Sequence, residues 1–527
     1  MPDRAAKTAF SGTLDRMECV EDYLRAVDRS GFSATWERII QTLRRRPEGD
    51  GIVTLGRIGP LYEIGLAHLC KTEKKAQGQY FTPDDAAALM AAWFVPLPGR
   101  NLCDVCCGTG KLILAVLARL GRRRARNLIS AGRLYLYDID PLALEISRSL
   151  IGILYGSDLE PKVQVIAGDF LSNSVQLPEK CKVISNPPYS KISRFSAGWN
   201  RTENLICSKE FYSAIMEKIL DSSRASVVIT PYSFLGGGKF YPLRTKMNKK
   251  NGFIVSFDNV PGNIFFGRKR GIFNTNSANS VRAAITVTEN KPGLRGYRCS
   301  PLIRFKNEER AALLQDETLK RLASGRTQTV SDENPKYQKC FPALEMILDQ
   351  WKTRAGGAVL ADLLAPKGTH TLCVPNTCRY YSVAAQRDLR RQGKYMLSFD
   401  DKLKWGFAYG LINSSFCYWH WRLYDGGITY PISLLKEMPV PYFKLTGRER
   451  NRFLEIAETM AAAETGYLVF KKNAGAFQEN IKFPEKFRRI LDNLLLKGIG
   501  ASEQNSSLFD PVHANTIVPY LAEGRQL

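Results

Sequence analysis

Between residues 100 and 290, short apolar runs alternate with stretches whose apolar residues recur every three to four positions. The first pattern is typical of buried strands and the second of amphipathic helices. Strands separated by helices favour right-handed crossovers and a parallel sheet, because parallel neighbours need a long connection. We therefore predict an α/β fold with a doubly wound, mostly parallel sheet. The predicted strands cover residues 101–105, 133–137, 162–166, 181–185 and 225–230, and the predicted helices cover 111–120, 141–155 and 209–220.

The regions on either side of this alternation have other patterns. Residues 1–70 show helical spacing, and residues 254–260 and 280–288 are expected to add antiparallel edge strands. We predict four parts, namely a helical N-terminal segment (1–70), the α/β domain (71–295), a mixed α+β domain (296–445) and a helical C-terminal segment with a loose tail (446–527). The longest apolar stretch has 12 residues, whereas a membrane-spanning helix needs roughly 20.

The net charge restricts the class of partner. The chain of 527 residues has 75 Lys and Arg against 51 Asp and Glu, a formal charge of +24. Such a charge favours a polyanionic partner, nucleic acid first and an anionic membrane surface second. Basic residues cluster at 44–46, 122–126, 246–250 and 268–270, and we expect at least one cluster to contact phosphate. The N-terminus lacks the apolar core of a signal peptide, so we expect a cytoplasmic protein with reduced cysteines.

The first predicted strand leads into a glycine loop, Asp104-Val-Cys-Cys-Gly108-Thr-Gly110. Glycines at a strand end let a ligand approach the backbone closely. The loop lacks the third glycine of the dinucleotide fingerprint, because Ile113 stands there, and no Gly-Lys-Ser/Thr follows as in a phosphate loop. The C-x-x-C at 103–106 has no second Cys or His pair at ligand spacing, so no metal site is predicted.

Carboxylates follow the next two predicted strands. Asp138 and Ile139 end the second strand, and Asp169 and Phe170 follow the third. An acidic residue after strand two is placed to accept hydrogen bonds from ribose hydroxyls. A carboxylate beside an aromatic ring suits an adenine, with its exocyclic amine on the carboxylate and the ring against its face. Each Asp taken alone is equally typical of an N-cap or a turn, but together with Asp104 they describe an adenosyl pocket.

The fourth predicted strand ends in Ser185-Asn186-Pro187-Pro188-Tyr189, the most specific motif of the chain. Two prolines fix the backbone and remove two N–H donors. The Asn186 side-chain oxygen and the Pro187 carbonyl can then accept from one amino group, while Tyr189 stacks on a planar base. Accepting both protons draws the amine nitrogen toward sp³ geometry and makes it a better nucleophile. No strong base is needed, because the proton can leave after methyl transfer.

Together these motifs resemble those of the S-adenosylmethionine-dependent N6-adenine DNA methyltransferases of the gamma arrangement, found in restriction–modification systems. The resemblance covers about residues 70–290. It implies a Rossmann-like methyltransferase fold, S-adenosylmethionine as cofactor, and methyl transfer to N6 of a flipped-out adenine at a specific sequence in double-stranded DNA. It also implies that 71–295 is the catalytic domain and 296–445 the target-recognition domain.

The same resemblance assigns roles to individual residues. The implied cofactor-binding residues are Tyr80, Phe81, Thr82 and Pro83 at the methionine end, Asp104, Cys107, Gly108 and Gly110 in the glycine loop, Asp138 and Ile139 at the ribose, and Asp169 and Phe170 at the adenine. The implied catalytic loop comprises Asn186, Pro187, Pro188 and Tyr189. Tyr189 and either Phe265 or Phe266 are expected to stack on the target base. Val105 stands where the family's glycine loop usually has a proline.

Several alternatives stay open at this point. An RNA methyltransferase, an N4-cytosine methyltransferase and a protein-glutamine methyltransferase would all act on a similar nitrogen, and a DNA-binding subunit with a decayed pocket would not act at all. Tyr189 favours adenine over cytosine, and the long C-terminal region favours DNA. No nuclease motif is recognisable, so we predict methylation without cleavage. We expect double-stranded DNA as a partner and no membrane. A separately encoded restriction endonuclease stays open as a further partner.

Overall fold

The computed structural model describes residues 23–24, 27, 31–49, 51, 53–69, 82–265, 281–473 and 476–523. The chain divides into two compact units. The first unit comprises Met1–Arg298, Lys306–Arg321 and Thr327–Lys336, and the second comprises Cys299–Phe305, Leu322–Arg326 and Tyr337–Leu527. The four-part division by function stays a prediction.

The main sheet contains nine of the described strands. They are β1 (Asn101–Val105), β2 (Leu134–Asp138), β3 (Gln164–Ala167), β4 (Cys181–Ser185), β5 (Ala225–Pro231), β6 (Asn251–Phe257), β7 (Ala283–Glu289), β8 (Gly296–Ile303) and β9 (Thr327–Gln328). Their order is β3-β2-β1-β4-β5-β7-β6-β8-β9. The first five run parallel, and β7 pairs antiparallel with both β5 and β6. The predicted α/β class is confirmed, but β6 and β7 are not edge strands as predicted, because β8 and β9 extend the sheet beyond them.

The helices of the first unit precede its first strand or lie between its strands in the chain. They are α1 (Phe32–Arg45), α2 (Ile58–Leu69), α3 (Asp84–Phe94), α4 (Lys111–Leu120), α5 (Arg122–Ser130), α6 (Pro141–Tyr155), α7 (Glu203–Ser208), α8 (Phe211–Ser222), α9 (Tyr241–Met247), α10 (Arg310–Leu313) and α11 (Asp316–Leu322). Local sequence explains their starts. For example, Asp140 caps α6 by accepting from the amides of Leu142 and Ala143, and Pro141 occupies its first turn, where no amide is needed.

The centre of the sheet is buried on both faces. All five residues of β4 are buried, as are Leu102 to Val105 of β1, which is typical of central parallel strands. Even Lys182 of β4 is buried, and its ammonium donates to the carbonyls of Phe94 (3.1 Å), Val95 (2.7 Å) and Leu97 (3.0 Å) at the end of α3. Burial lowers the pKa of Lys182 to about 8.

The strand order reverses between β1 and β4. β2 and β3 lie on one side of β1, whereas β4 and β5 lie on the other. Connections therefore leave the carboxyl ends of β1 and β4 in opposite directions. A crevice opens there, at the position where ligands bind in open α/β sheets.

The second unit is mostly helical with two antiparallel hairpins. Its elements are α12 (Glu345–Ala355), β10 (His370–Pro375), β11 (Lys394–Phe399), α13 (Lys402–Asn413), α14 (Ser415–Tyr424), α15 (Ile432–Lys436), α16 (Gly447–Ala463), β12 (Leu468–Asn473), β13 (Ala476–Ile481), α17 (Glu485–Gly498), α18 (Asp510–His513) and α19 (Val518–Ala522). The aromatic rings of Phe416, Tyr418, Trp419 and Trp421 are buried in its core. The C-terminal segment 446–527, predicted to be helical, also contains β12 and β13, which pair as an antiparallel ribbon. No helix within the described ranges is long and apolar enough to cross a membrane.

Candidate active site

A solvent-open cavity of about 200 Å³ lies at the carboxyl ends of β1 to β4. This is the edge of an open α/β sheet at which ligands bind. All of its lining residues belong to the first unit. The predicted site residues in its wall are Thr82, Cys107, Gly108, Asp138, Ile139, Asp169, Phe170, Asn186, Pro187 and Pro188.

The other predicted site residues fall into two groups. Pro83, Asp104, Gly110, Tyr189 and Phe265 are described but stand behind or beside the cavity wall. Tyr80, Phe81, Phe266 and the basic cluster 268–270 lie outside the described residues. The roles assigned to both groups stay predictions.

The glycine loop turns sharply between β1 and α4. Gly108 and Gly110 have φ of +52° and +82°, in the left-handed region. A Cβ on Gly110 would stand 2.9 Å from Ser147 Oγ, whereas a Cβ on Gly108 would meet nothing within 4 Å. The Ser147 hydroxyl donates to the Gly108 carbonyl over 2.8 Å. Gly110 is thus required by packing, and Gly108 leaves an open cradle beside the cavity.

Two carboxylates support this loop from different sides. Asp104 is fully buried, and its Oδ2 accepts from the amide of Ile113 in the first turn of α4 over 3.1 Å. Asp138 accepts from the Gly108 amide (2.7 Å) and the Asp140 amide (3.0 Å). Burial raises the pKa of both carboxyls, and the amide donors oppose that rise. Asp138 faces the cavity, whereas Asp104 positions α4 behind it.

The loop after β3 carries Asp169 and Phe170. The Trp199 indole donates to Asp169 Oδ2 over 2.6 Å, and the Leu171 amide donates to Oδ1 over 2.9 Å. These donors fix the carboxylate at the cavity wall. Trp199 was not predicted as a site residue, because a single tryptophan in an irregular segment has no periodicity.

Lys218 of α8 also holds the loop that follows β3. Its ammonium donates to the carbonyls of Phe170, Ser172 and Val175 over 2.6–2.8 Å and lies 4.9 Å from the Phe170 ring centroid. Burial lowers its pKa, and Asp169 partly offsets that change. Lys218 was also missed, since nothing in α8 distinguishes it from a surface lysine.

The predicted catalytic loop follows β4 directly. The Ser185 hydroxyl donates to the Val105 carbonyl over 2.6 Å and so ties the ends of β4 and β1 together. The Asn186 amide nitrogen donates to Thr82 Oγ1 over 3.0 Å, and the Tyr189 hydroxyl donates to Asn186 Oδ1 over 2.8 Å. The Asn186 carboxamide is therefore held from both ends. Only the stacking role of Tyr189, not this polar contact, was predicted.

Phe265 contacts Tyr189 edge to face. Their ring centroids are 5.9 Å apart and the planes meet at 64°. A base between two parallel rings needs about 7 Å, two stacking distances of roughly 3.5 Å. The two predicted stacking residues thus lie together, and a base between them requires one ring to move and turn.

Helix α2 contributes a wall that the sequence did not reveal. Gly59, Tyr62, Glu63 and Leu66 line the cavity. The Tyr62 hydroxyl donates to Asp140 Oδ2 over 2.5 Å. Burial, and then the hydrogen bond to Asp140, raise the pKa of Tyr62. No group of three or more His, Cys, Asp or Glu that could hold a metal lies within the described part of the chain.

Comparison with known proteins agrees with this geometry. Residues 55–272 match the family model described as N-6 DNA Methylase. The match covers 218 of the 527 residues of the chain. It confirms the resemblance that the motifs predict, over a segment that contains all the cavity-lining residues, from Gly59 to Ile215.

Individual relatives match only parts of the chain. The Type II methyltransferase M.VspI of Vibrio sp. (strain 343) is 34% identical over 172 residues, which are 31% of this chain and 35% of that protein. The chain thus spans about a third of the length of this curated relative. The Type I restriction enzyme EcoKI M protein covers 64% of this chain, with 70% of its own length matched, at 14% identity and a TM-score of 0.35. The DrdV–DNA complex covers 78%, with 60% of its own chain matched, at 11% identity and a TM-score of 0.41.

Proposed function

We propose that the protein transfers the methyl group of S-adenosylmethionine to N6 of a flipped-out adenine at a specific sequence in double-stranded DNA. The observation that carries the proposal is the Asn186 carboxamide, held from both ends at the cavity edge beside the Pro187 carbonyl. The match of residues 55–272 to the N-6 DNA methylase family model supports the same reaction.

The cavity has the features that S-adenosylmethionine requires. This cofactor supplies a transferable methyl group on a positively charged sulfonium. Acidic side chains outnumber basic ones in the cavity wall, so the wall is complementary to a cation: Glu63, Asp138, Asp140 and Asp169 against Lys111. The cradle at Gly108, where a side chain would otherwise stand, leaves room for close approach. We assign the ribose to Asp138 and the adenine to Asp169 and Phe170.

Asn186 and Pro187 are proposed to orient the attacking nitrogen. A carboxamide oxygen accepts two hydrogen bonds. Tyr189 can therefore hold Asn186 Oδ1 while the same oxygen accepts from the N6 amine. The Pro187 carbonyl accepts the second N6 proton. The nitrogen lone pair then forms the bond to the methyl carbon as the carbon–sulfur bond breaks, and the extra proton leaves to solvent. Catalysis in this scheme is positioning.

Base flipping is required because a stacked adenine cannot reach the cavity. Tyr189 and Phe265 supply the ring surfaces that would receive the base, and the separation of these rings accompanies its entry. The Thr82 hydroxyl is proposed to keep the Asn186 carbonyl, rather than its amine, directed to the base.

DNA as the substrate is supported by the formal charge of +24. Of the predicted basic clusters, several members serve the fold itself. Arg44 pairs with Glu160 over 2.7 Å, and Lys246 pairs with Glu217 over 2.8 Å. The cluster at 122–126 lies in α5, where Arg122 and Arg126 donate to the carbonyls of Leu154 and Tyr155. Phosphate contact by any one cluster stays a proposal.

A role as the modification component of a restriction–modification system, in the cytoplasm, is part of the same proposal. A separately encoded restriction endonuclease would be its counterpart. The predicted target-recognition domain, 296–445, would supply the sequence specificity.

The test is transfer of tritium from labelled S-adenosylmethionine to unmethylated plasmid DNA, to RNA and to protein. We expect label in DNA alone. Asn186→Ala should lower the rate roughly 100-fold or more, the effect of losing one preorganised polar group. Asn173→Ala, which removes the same amide from an exposed position after β3, is the matched control and should keep the wild-type rate. Label in RNA or protein alone, or equal rates for both variants, would overturn the proposal.

A further inference from the structure

Arg310 is a buried arginine outside the matched family segment. It begins α10, and it is 5% exposed. Its Nε and Nη2 donate to the two carboxylate oxygens of Asp85, each over 2.6 Å. Its Nη1 donates to the carbonyl of Asn263 over 2.7 Å, and Nη2 also donates to the carbonyl of Ile264 over 3.0 Å. The guanidinium thus joins a carboxylate on one side to two backbone carbonyls on the other.

The carboxylate side leads to the catalytic asparagine. Asp85 stands in the first turn of α3, which begins directly after Thr82 and Pro83. Thr82 Oγ1 accepts from the Asn186 amide over 3.0 Å. A fixed Asp85 therefore fixes the position from which Thr82 orients Asn186.

The carbonyl side leads to the base-stacking rings. Asn263 and Ile264 immediately precede Phe265, and Asn263 Oδ1 accepts from the Phe265 amide over 2.9 Å. The Phe265 ring contacts Tyr189, whose hydroxyl returns to Asn186. These contacts, together with the chain links from Thr82 to Asp85 and from Ile264 to Phe265, form a closed ring. It runs through Arg310, Asp85, Thr82, Asn186, Tyr189, Phe265 and Ile264.

We propose that Arg310 is a positioning residue for methyl transfer, which sets the distance between Asn186 and the Phe265 loop that receives the base. This inference rests on the proposed function. Arginine suits the task because its planar fork presents donors in several fixed directions, whereas lysine is a point donor on a flexible stem. Stability alone is a weak reason for such a buried pair, since apolar replacements are often as stable.

Helix α3 has a second hydrogen bond to the segment that carries Arg310, and this bond gives a matched control. The Trp93 indole, at the far end of α3, donates to Asp316 Oδ1 over 2.6 Å. Asp85 and Trp93 are eight residues apart on this helix, which places the two anchors about 12 Å apart at 1.5 Å per residue. Asp316→Asn weakens the attachment of this segment without touching the ring of contacts around the base site.

The test compares Arg310→Met, Arg310→Lys and Asp316→Asn in single-turnover methyl transfer at saturating DNA and S-adenosylmethionine. We expect Arg310→Met to lower the rate constant about 100-fold, because a misplacement near 1 Å costs that much. Arg310→Lys should lose about tenfold, since one ammonium cannot hold both carbonyls and the carboxylate. The S-adenosylmethionine Kd, measured by calorimetry, should change less than about threefold in all variants. Asp316→Asn should keep the wild-type rate constant.

The outcomes separate a positioning role from a structural one. Thermal unfolding of each variant shows whether it folds, and Arg310→Lys serves if Arg310→Met does not. A folded Arg310 variant that transfers methyl groups as fast as Asp316→Asn overturns the inference, as does a loss that lies wholly in the KM for DNA. If wild-type protein itself transfers no methyl group to DNA, the proposed function fails instead.

Discussion

Replacing Trp199 by Phe tests how the cofactor adenine is held. The substitution keeps an aromatic ring but removes the indole N–H that donates to Asp169 Oδ2 over 2.6 Å. A hydrogen bond to a charged group contributes about 1.5–3 kcal/mol. Asp169 is only partly buried and keeps the Leu171 amide on its other oxygen, so the lower end applies. At about 1.4 kcal/mol per tenfold, the S-adenosylmethionine Kd should rise about tenfold, with the turnover rate at saturation unchanged.

Calorimetry with two product analogues makes this prediction specific. S-adenosylhomocysteine carries the exocyclic amine from which Asp169 is proposed to accept a hydrogen bond, whereas S-inosylhomocysteine lacks this amine. Trp199→Phe should lower the preference for the adenosyl form by about tenfold. Trp405→Phe, which removes an indole donor to the Thr371 carbonyl in the second unit, is the control and should change neither affinity. An unchanged preference in Trp199→Phe, or a loss confined to turnover, would show that Trp199 does not hold Asp169 in place for the adenine.

Three further predictions concern single groups. Tyr189→Phe keeps the ring but loses the hydroxyl bound to Asn186, so single-turnover transfer should slow about tenfold while DNA affinity, measured by anisotropy, stays the same. Lys218→Met removes three hydrogen bonds to carbonyls and should lower the free energy of unfolding in urea by about 2–4 kcal/mol. Burial raises the pKa of Asp492 to about 6. Between about pH 4 and pH 6 the folded state therefore keeps a proton on this carboxyl that the unfolded state has lost. Its contribution to stability should therefore fall as the pH rises from about 4 to 6, and the difference between wild type and Asp492→Asn in denaturation across that range measures it.

The local elements of the catalytic half were predictable. The bounds predicted for β1, α4, α6 and β4 agree with the structure at both ends. These elements carry strong apolar periodicity and end at glycines, a proline or an N-cap, so local physics determines them. The motif positions followed, because the carboxyl ends of neighbouring parallel strands meet at one edge.

The tertiary contacts of the site were not predictable. Trp199, Lys218 and Arg310 each act across long sequence separations through single hydrogen-bonding groups, and no periodic pattern distinguishes them from other residues of their type. The wall supplied by α2 was missed for the same reason. The edge assignment of β6 and β7 failed because β8, which pairs beyond them, lies past the point where the strand–helix alternation fades.

The most direct test of the account is the identity of the methylated nucleoside. Unmethylated plasmid DNA is incubated with the purified protein and S-adenosylmethionine, digested to nucleosides and analysed by mass spectrometry. We expect N6-methyladenine, confined to one sequence context when the same DNA is sequenced for modified bases. N4-methylcytosine, or no modified nucleoside from protein that binds S-adenosylmethionine, would contradict it.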